Sequence, residues 1–144
     1  MRALVVGGGC RGLDLARALT AEGHAVRIVT RRPEARAAIG GAGAGCFAGD
    51  PDVVGTLRYA LEGVTILLWL LGTASGPADK LAALHGSRLR MMLSRTTDTT
   101  VRGVVYEGPY EDLARRSSET WQIPLEIVTP AEDAKAAVDR LLGV

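Results

Sequence analysis

Lysine is scarce in this chain of 144 residues: the basic side of a formal net charge of +1 is almost all arginine, and Lys80 and Lys135 are the only lysines. Near-neutral charge removes the general attraction to nucleic acid or to an anionic membrane surface, so any recognition of anions must be local. Cysteine is equally sparse. Cys10 and Cys46 are too few for a disulfide framework, and with only His24 and His85 beside them no metal-ligand cluster is expected. The longest strongly apolar run, Val64 to Leu71, falls far short of the roughly 20 residues a membrane-spanning helix needs. Glycines interrupt the apolar N-terminal run after Val6, which is unlike a cleaved signal. These absences predict a cytoplasmic protein with one domain over residues 1–144 and no membrane or nucleic-acid partner. The Gly-x-Ser-x-Gly elbow and the Gly-x-x-x-x-Gly-Lys loop are missing too, which leaves hydrolase and triphosphatase readings without their central residues.

What is present is an alternation. Arg2 to Gly7 is a short β-branched run ending in glycines, Leu13, Leu15, Ala16 and Leu19 recur at helical spacing, and Ala25 to Val29 is a second apolar run. Strand, tight loop, helix and strand form a β-α-β unit. The alternation continues with a helix over 33–39, a strand over 45–48, a helix over 52–61 and a strand over 64–70. A long helix over 77–97, a strand over 102–106, a helix over 110–121, a strand over 124–128 and a terminal helix over 130–142 complete it. Such a series predicts a three-layer, doubly wound α/β fold with a parallel sheet of about six strands in the order 3-2-1-4-5-6. The apolar fourth strand belongs at its centre and the short third at an edge. The segment from Gly40 to Gly45 reads as a flexible connection, Trp69 and Trp121 as core, and the Met91, Met92 pair as a helix face that packs partly on a second subunit.

Gly7, Gly9 and Gly12 form G-x-G-x-x-G between the first strand and first helix, the context in which that pattern carries meaning. The first glycine permits the turn, the second lets the backbone approach a pyrophosphate, and the third allows close packing of helix on strand, while the helix N-terminus attracts the anion. Cys10 and Arg11 lie inside the loop. Cys10 is either a redox-sensitive thiol or a small residue tolerated in a tight turn; Arg11 either adds to a phosphate site or faces solvent. At the end of the second strand, where an acidic residue would accept from a ribose 2′-hydroxyl, stand Thr30, Arg31 and Arg32. Guanidinium groups suit a 2′-phosphate, so NADP(H) is expected over NAD(H), unless these two arginines are merely solvated. The missing carboxylate also counts against S-adenosylmethionine.

The segments from Gly7 to Gly12, Ala21 to Val26, Thr30 to Pro33, Gly49 to Asp52 and Leu61 to Ile66 resemble the cofactor-binding half of extended or atypical short-chain dehydrogenases, the group with epimerase-like and NmrA-like proteins. The resemblance spans roughly residues 1–110 and implies that Asp50 lies beside the adenine. It implies also that the segment from Gly72 and Thr73 to Gly76 lines the nicotinamide side. Two features depart from it. The glycines of that group are more often spaced G-x-x-G-x-x-G, and its Tyr-x-x-x-Lys dyad is absent, because Gly76 and Ala131 stand four residues before the two lysines. Its Ser or Thr at the end of the fifth strand is missing as well.

Replacement proton donors at the strand ends are Tyr106, Glu107 and Tyr110, with bland readings as core, a solvated turn residue and a helix start. His85, with Arg88 and Arg90 near it, either overhangs the cleft or sits on a surface helix, and Gly86 loosens that helix. Three functions fit. One is an NADP(H)-binding protein that senses or carries the dinucleotide. Another is a small NADP-dependent oxidoreductase or epimerase-like enzyme completed by a homodimer or partner subunit. The third is an interaction protein with a degenerate nucleotide pocket.

Overall fold

A computed structural model describes residues 1–143. Six strands, β1 (Arg2–Gly7), β2 (Ala25–Thr30), β3 (Gly45–Ala48), β4 (Ile66–Leu70), β5 (Gly103–Glu107) and β6 (Leu125–Val128), form one sheet in the order β3-β2-β1-β4-β5-β6. Every pairing is parallel. The fold is an α/β doubly wound sheet of the Rossmann type, with the strand order that the alternation predicts.

Side-chain alternation along the central strands divides the core in two. Leu4, Val6, Leu67, Trp69, Val104 and Tyr106 point to one face, where Leu57, Leu89, Met92, Leu93 and Ala114 cover them. Ala3, Val5, Ile66, Leu68, Leu70 and Val105 point to the other, under Leu15, Leu19, Ile39 and Val138. All five residues of β4 and of β5 are buried, whereas β3 and β6, at the edges, are mostly half-buried or exposed.

The helices are α1 (Gly9–Ala21), α2 (Arg36–Gly41), α3 (Ala78–His85), α4 (Ser87–Arg95), α5 (Glu111–Trp121) and α6 (Ala134–Leu142). Several depart from the sequence expectation. Residues 52–61 make two short 3-10 turns, Val54–Leu57 and Tyr59–Leu61, instead of a helix. There the Asp50 carboxylate accepts from the amide of Asp52 at 2.9 Å, and the Thr56 hydroxyl donates to the Val53 carbonyl at 2.7 Å. Such local bonds compete with helical ones, and Gly55 weakens the helix further. The expected helix over 77–97 breaks at Gly86, where a Cβ would lie 2.8 Å from the Ala82 carbonyl oxygen. α6 begins late because Asp133 caps it, accepting from the Lys135 amide at 2.9 Å. Met92 is buried and Met91 exposed. Trp69 is core, but Trp121 is 40% exposed, since the buried stripe of α5 runs only through Ala114 and Ser117.

The glycine-rich stretch after Ile39 is also more ordered than a flexible connection. Gly40 and Gly41 close α2, and Gly45 opens β3. A Cβ on Gly40 would touch nothing within 4 Å, so Gly40→Ala is expected to raise stability by about 0.5 to 1 kcal/mol through a less mobile unfolded chain. Urea unfolding of the two proteins measures it.

Candidate functional site

A cavity of about 700 Å³ opens at the carboxyl ends of β1, β2 and β4, lined among others by Gly7, Gly8, Gly9, Cys10, Thr30, Arg31, Arg32, Asp50 and Thr73. It sits where β1 meets β4 and the strand order reverses, the crevice in which open α/β sheets hold ligands. The three pattern glycines do different things there. Gly7 has φ +85°, and a Cβ on it would lie 2.5 Å from the Leu70 carbonyl oxygen; one on Gly12 would lie 3.0 Å from the Gly7 oxygen. Both positions let the loop and α1 press against the sheet. Gly9 is the opposite case: a Cβ there would meet nothing within 4 Å, so its missing side chain leaves open volume beside the start of α1.

Gly8, at φ +87°, precedes α1 in the left-handed region without a side-chain cap. The Arg11 and Gly12 amides turn back onto its carbonyl, at 3.0 and 3.2 Å. The Gly9 and Cys10 amides, whose residues line the cavity, are left as first-turn donors with no helical acceptor. A helix start with free amides and open volume accommodates an anionic group such as a phosphate.

At the end of β2 the Thr30 hydroxyl accepts from the Arg32 amide at 3.0 Å. The Arg31 guanidinium is exposed and lies 4.0 Å from the Asp50 carboxylate, and Arg88 of α4 reaches Asp52 at 3.4 Å. Arg32 is exposed and forms no ion pair among the described residues. Cys10 is exposed.

Arg11 does not line the cavity, and its half-buried side chain is held in place by a carboxylate. It forms a bidentate ion pair with Glu107 at the end of β5, one bond of 2.9 Å with a shorter one beside it, and donates to the Thr73 hydroxyl at 3.1 Å. Glu107 raises the Arg11 pKa above its ordinary value, chiefly through these hydrogen bonds. Glu107 is not a solvated turn residue: it is 1% exposed and accepts also from the Gly72 amide at 3.1 Å. Gly72 packs on Glu107, where a Cβ would lie 2.8 Å from its side chain, and does not border the cavity.

His85 is neither on a surface nor over the cleft. It is buried, turned inward at the break between α3 and α4. Its Nε2 donates to the Leu71 carbonyl at 3.1 Å, since a carbonyl can only accept, and its Nδ1 therefore accepts from the Tyr106 hydroxyl at 2.9 Å. The Tyr106 oxygen accepts in turn from the Tyr110 amide at 3.2 Å. Burial pushes the Tyr106 pKa up to about 12. Tyr106 is core, and Tyr110, 37% exposed, immediately precedes α5. None of Tyr106, Glu107, Tyr110 and His85 lines the cavity.

Of the expected segment after β4, Thr73, Ala74, Ser75 and Gly76 line the cavity, and lining residues that sequence reasoning passed over include Lys80, Leu81 and Leu84. The signal was available: Pro77, Lys80, Leu81 and Leu84 stand at i, i+3, i+4 and i+7, one face of a helix. Among the described residues no group of three His, Cys, Asp or Glu could hold a metal ion, and no helix is long and apolar enough to cross a membrane.

Residues 2–44 match the family model of pyridine nucleotide-disulphide oxidoreductases. No curated protein matches the chain. Among solved structures, the triphenylmethane reductase of Citrobacter sp. complexed with NADP(H) is similar at 21% identity and a TM-score of 0.65, over 88% of this chain and 48% of that one. The present chain thus spans about half the length of that reductase. A putative NAD-dependent epimerase/dehydratase from Bacillus halodurans is similar at 17% identity and a TM-score of 0.74, over 90% of this chain and 69% of that one. ChuY, an anaerobillin reductase from Escherichia coli O157:H7, is similar at 17% identity and a TM-score of 0.64, covering 100% of this chain and 91% of its own.

Proposed function

We propose that this chain binds NADP(H), with the pyrophosphate at the start of α1 and the 2′-phosphate between Arg31 and Arg32. The observation that carries the reading is the cavity itself, which joins the open volume at Gly9 to two exposed arginines at the end of β2. The end of β2 itself carries Thr30, Arg31 and Arg32 and no carboxylate, and a guanidinium recognises a 2′-phosphate with charge-assisted bonds. In this reading the Asp50 carboxylate, 4.0 Å from Arg31, would face the adenine. The dinucleotide supplies hydride chemistry when bound; the residues of the chain bind and orient it. Titration calorimetry with NADPH, NADP, NADH and NAD tests this. NADPH is expected to bind at least about tenfold more tightly than NADH, and the Arg31→Ala, Arg32→Ala variant to lose that margin. Binding of none of the four, or preference for NADH, would refute it.

Tyr106, Glu107 and His85 are buried and none lines the cavity, which favours a protein that senses or carries the dinucleotide over one with the usual tyrosine proton donor. A second reading, an NADP-dependent reductase completed by a second copy or a partner subunit, draws on Thr73, Ser75 and Lys80, which line the wall beyond the glycine loop. NADPH oxidation that requires an added carbonyl or quinone compound and falls in Lys80→Met would favour it.

A further inference from the structure

Arg11 and Glu107 are 96 positions apart in sequence, and their ion pair joins three pieces of the crevice. Arg11 belongs to the first turn of α1, directly after the loop amides; Thr73 and Gly72 follow β4; Glu107 ends β5. The carboxylate is 1% exposed and receives both guanidinium nitrogens and the Gly72 amide. The same guanidinium holds the Thr73 hydroxyl, and Thr73 lines the cavity while Arg11 and Glu107 do not. Gly72 lacks the side chain that would collide with Glu107. The group is thus tightly built and touches the cavity only through Thr73.

We propose that Glu107 is a positioning residue: through Arg11 it clamps the glycine loop to the segment after β4, so that the Gly9 and Cys10 amides stand ready for the anion before it arrives. The inference rests on the reading that this loop binds a dinucleotide. A ligand that meets a preformed loop does not have to order it, and affinity rises accordingly. The clamp also pairs the positive charge of Arg11, whose side chain is half-buried, with a buried carboxylate, which leaves recognition of the pyrophosphate to backbone amides and that of the 2′-phosphate to Arg31 and Arg32.

Stability alone does not separate positioning from scaffolding. Removing one partner leaves a charge without its counterpart, whereas replacing both by apolar side chains is often neutral. The decisive protein is therefore Arg11→Met, Glu107→Leu, compared with Glu107→Leu alone. The double variant is expected to recover most of the thermal stability that the single variant loses, yet to bind NADPH about tenfold more weakly than wild type. Its amides at residues 8–12 are expected to exchange hydrogen faster in the free protein, with those of β1 and α6 unchanged. A double variant with wild-type affinity and wild-type loop exchange would overturn the clamp. If wild type itself binds no dinucleotide, the functional reading fails, and the exchange of residues 8–12 still decides the clamp: faster in the double variant supports it, unchanged refutes it.

Discussion

Substituting Gly9 by valine is expected to abolish NADPH binding, raising Kd more than about a hundredfold, in a protein that still folds. The two halves of that result have separate origins. A Cβ at Gly9 meets nothing within 4 Å, so the valine side chain starts in open space and extends into the volume that the ligand needs. The backbone at φ +52° is strained for a β-branched residue, which costs about 1 to 2 kcal/mol. Gly7 is the control. There a Cβ would lie 2.5 Å from the Leu70 carbonyl oxygen and 2.6 Å from a methyl group of Leu71, so Gly7→Ala is expected to lower stability more than Gly9→Val does, because the obstructing atom is backbone in a fully buried strand. Calorimetry and urea unfolding on both variants separate the roles. A Gly9→Val protein that binds NADPH within tenfold of wild type would show that no phosphate approaches this loop.

That contrast marks how far the sequence is legible. G-x-G-x-x-G between a strand and a helix announces the loop and divides its glycines into one for the turn, one for ligand approach and one for packing; what the distances add is that Gly7 is pressed against β4 at least as tightly as Gly12 is against the loop. The sheet was readable because its signals are local: short β-branched apolar runs, helices between them, and an unbroken apolar β4 that could only be central. Thr30, Arg31 and Arg32 were readable at the end of β2 for the same reason. Glu107 was not. Its meaning depends on Arg11, 96 positions away, and a glutamate after an apolar strand reads as a turn residue until the crevice brings the two together. His85 failed differently. Gly86 signalled a weak point in a long helix, yet the break turns the imidazole inward toward Leu71 and Tyr106, and helical periodicity cannot foresee a rotation at its own interruption. The region 52–61 was lost to Asp50 and Thr56, whose bonds to the nearby backbone replace a helix with turns.

The inward imidazole should make the stability of the protein depend on pH through a group outside the cavity. Burial holds the His85 pKa below its ordinary 6.5, against the opposing pull of the Leu71 carbonyl and the Glu107 charge. Tyr106 and Tyr110 are the other titratable groups at the ring, and Tyr106, with its pKa raised to about 12, stays a neutral donor throughout. A second proton on the imidazole would require Nδ1 to donate where it now accepts, opposite a hydroxyl whose hydrogen already points at it. The unfolded chain therefore takes up this proton near pH 6.5 and the folded chain only at lower pH. The stabilisation is complete above 6.5 and is lost as pH falls below it toward the folded value, by at most about 1.4 kcal/mol for each pH unit. Gly108 is the position that permits the arrangement, because a Cβ there would overlap both His85 Nδ1 and the Tyr106 oxygen. Gly108→Ala is accordingly expected to cost about 3 kcal/mol at pH 7.5 and to flatten the slope. Urea unfolding at pH 7.5, 6.5 and 5.5 on wild type, His85→Asn and Gly108→Ala measures this, with the carboxylates common to all three cancelling in the comparison. Equal slopes for wild type and His85→Asn would mean that the imidazole is not what links this fold to pH; a steeper wild-type loss below 6.5 assigns it to the Leu71, His85 and Tyr106 chain that holds α3 over the cavity.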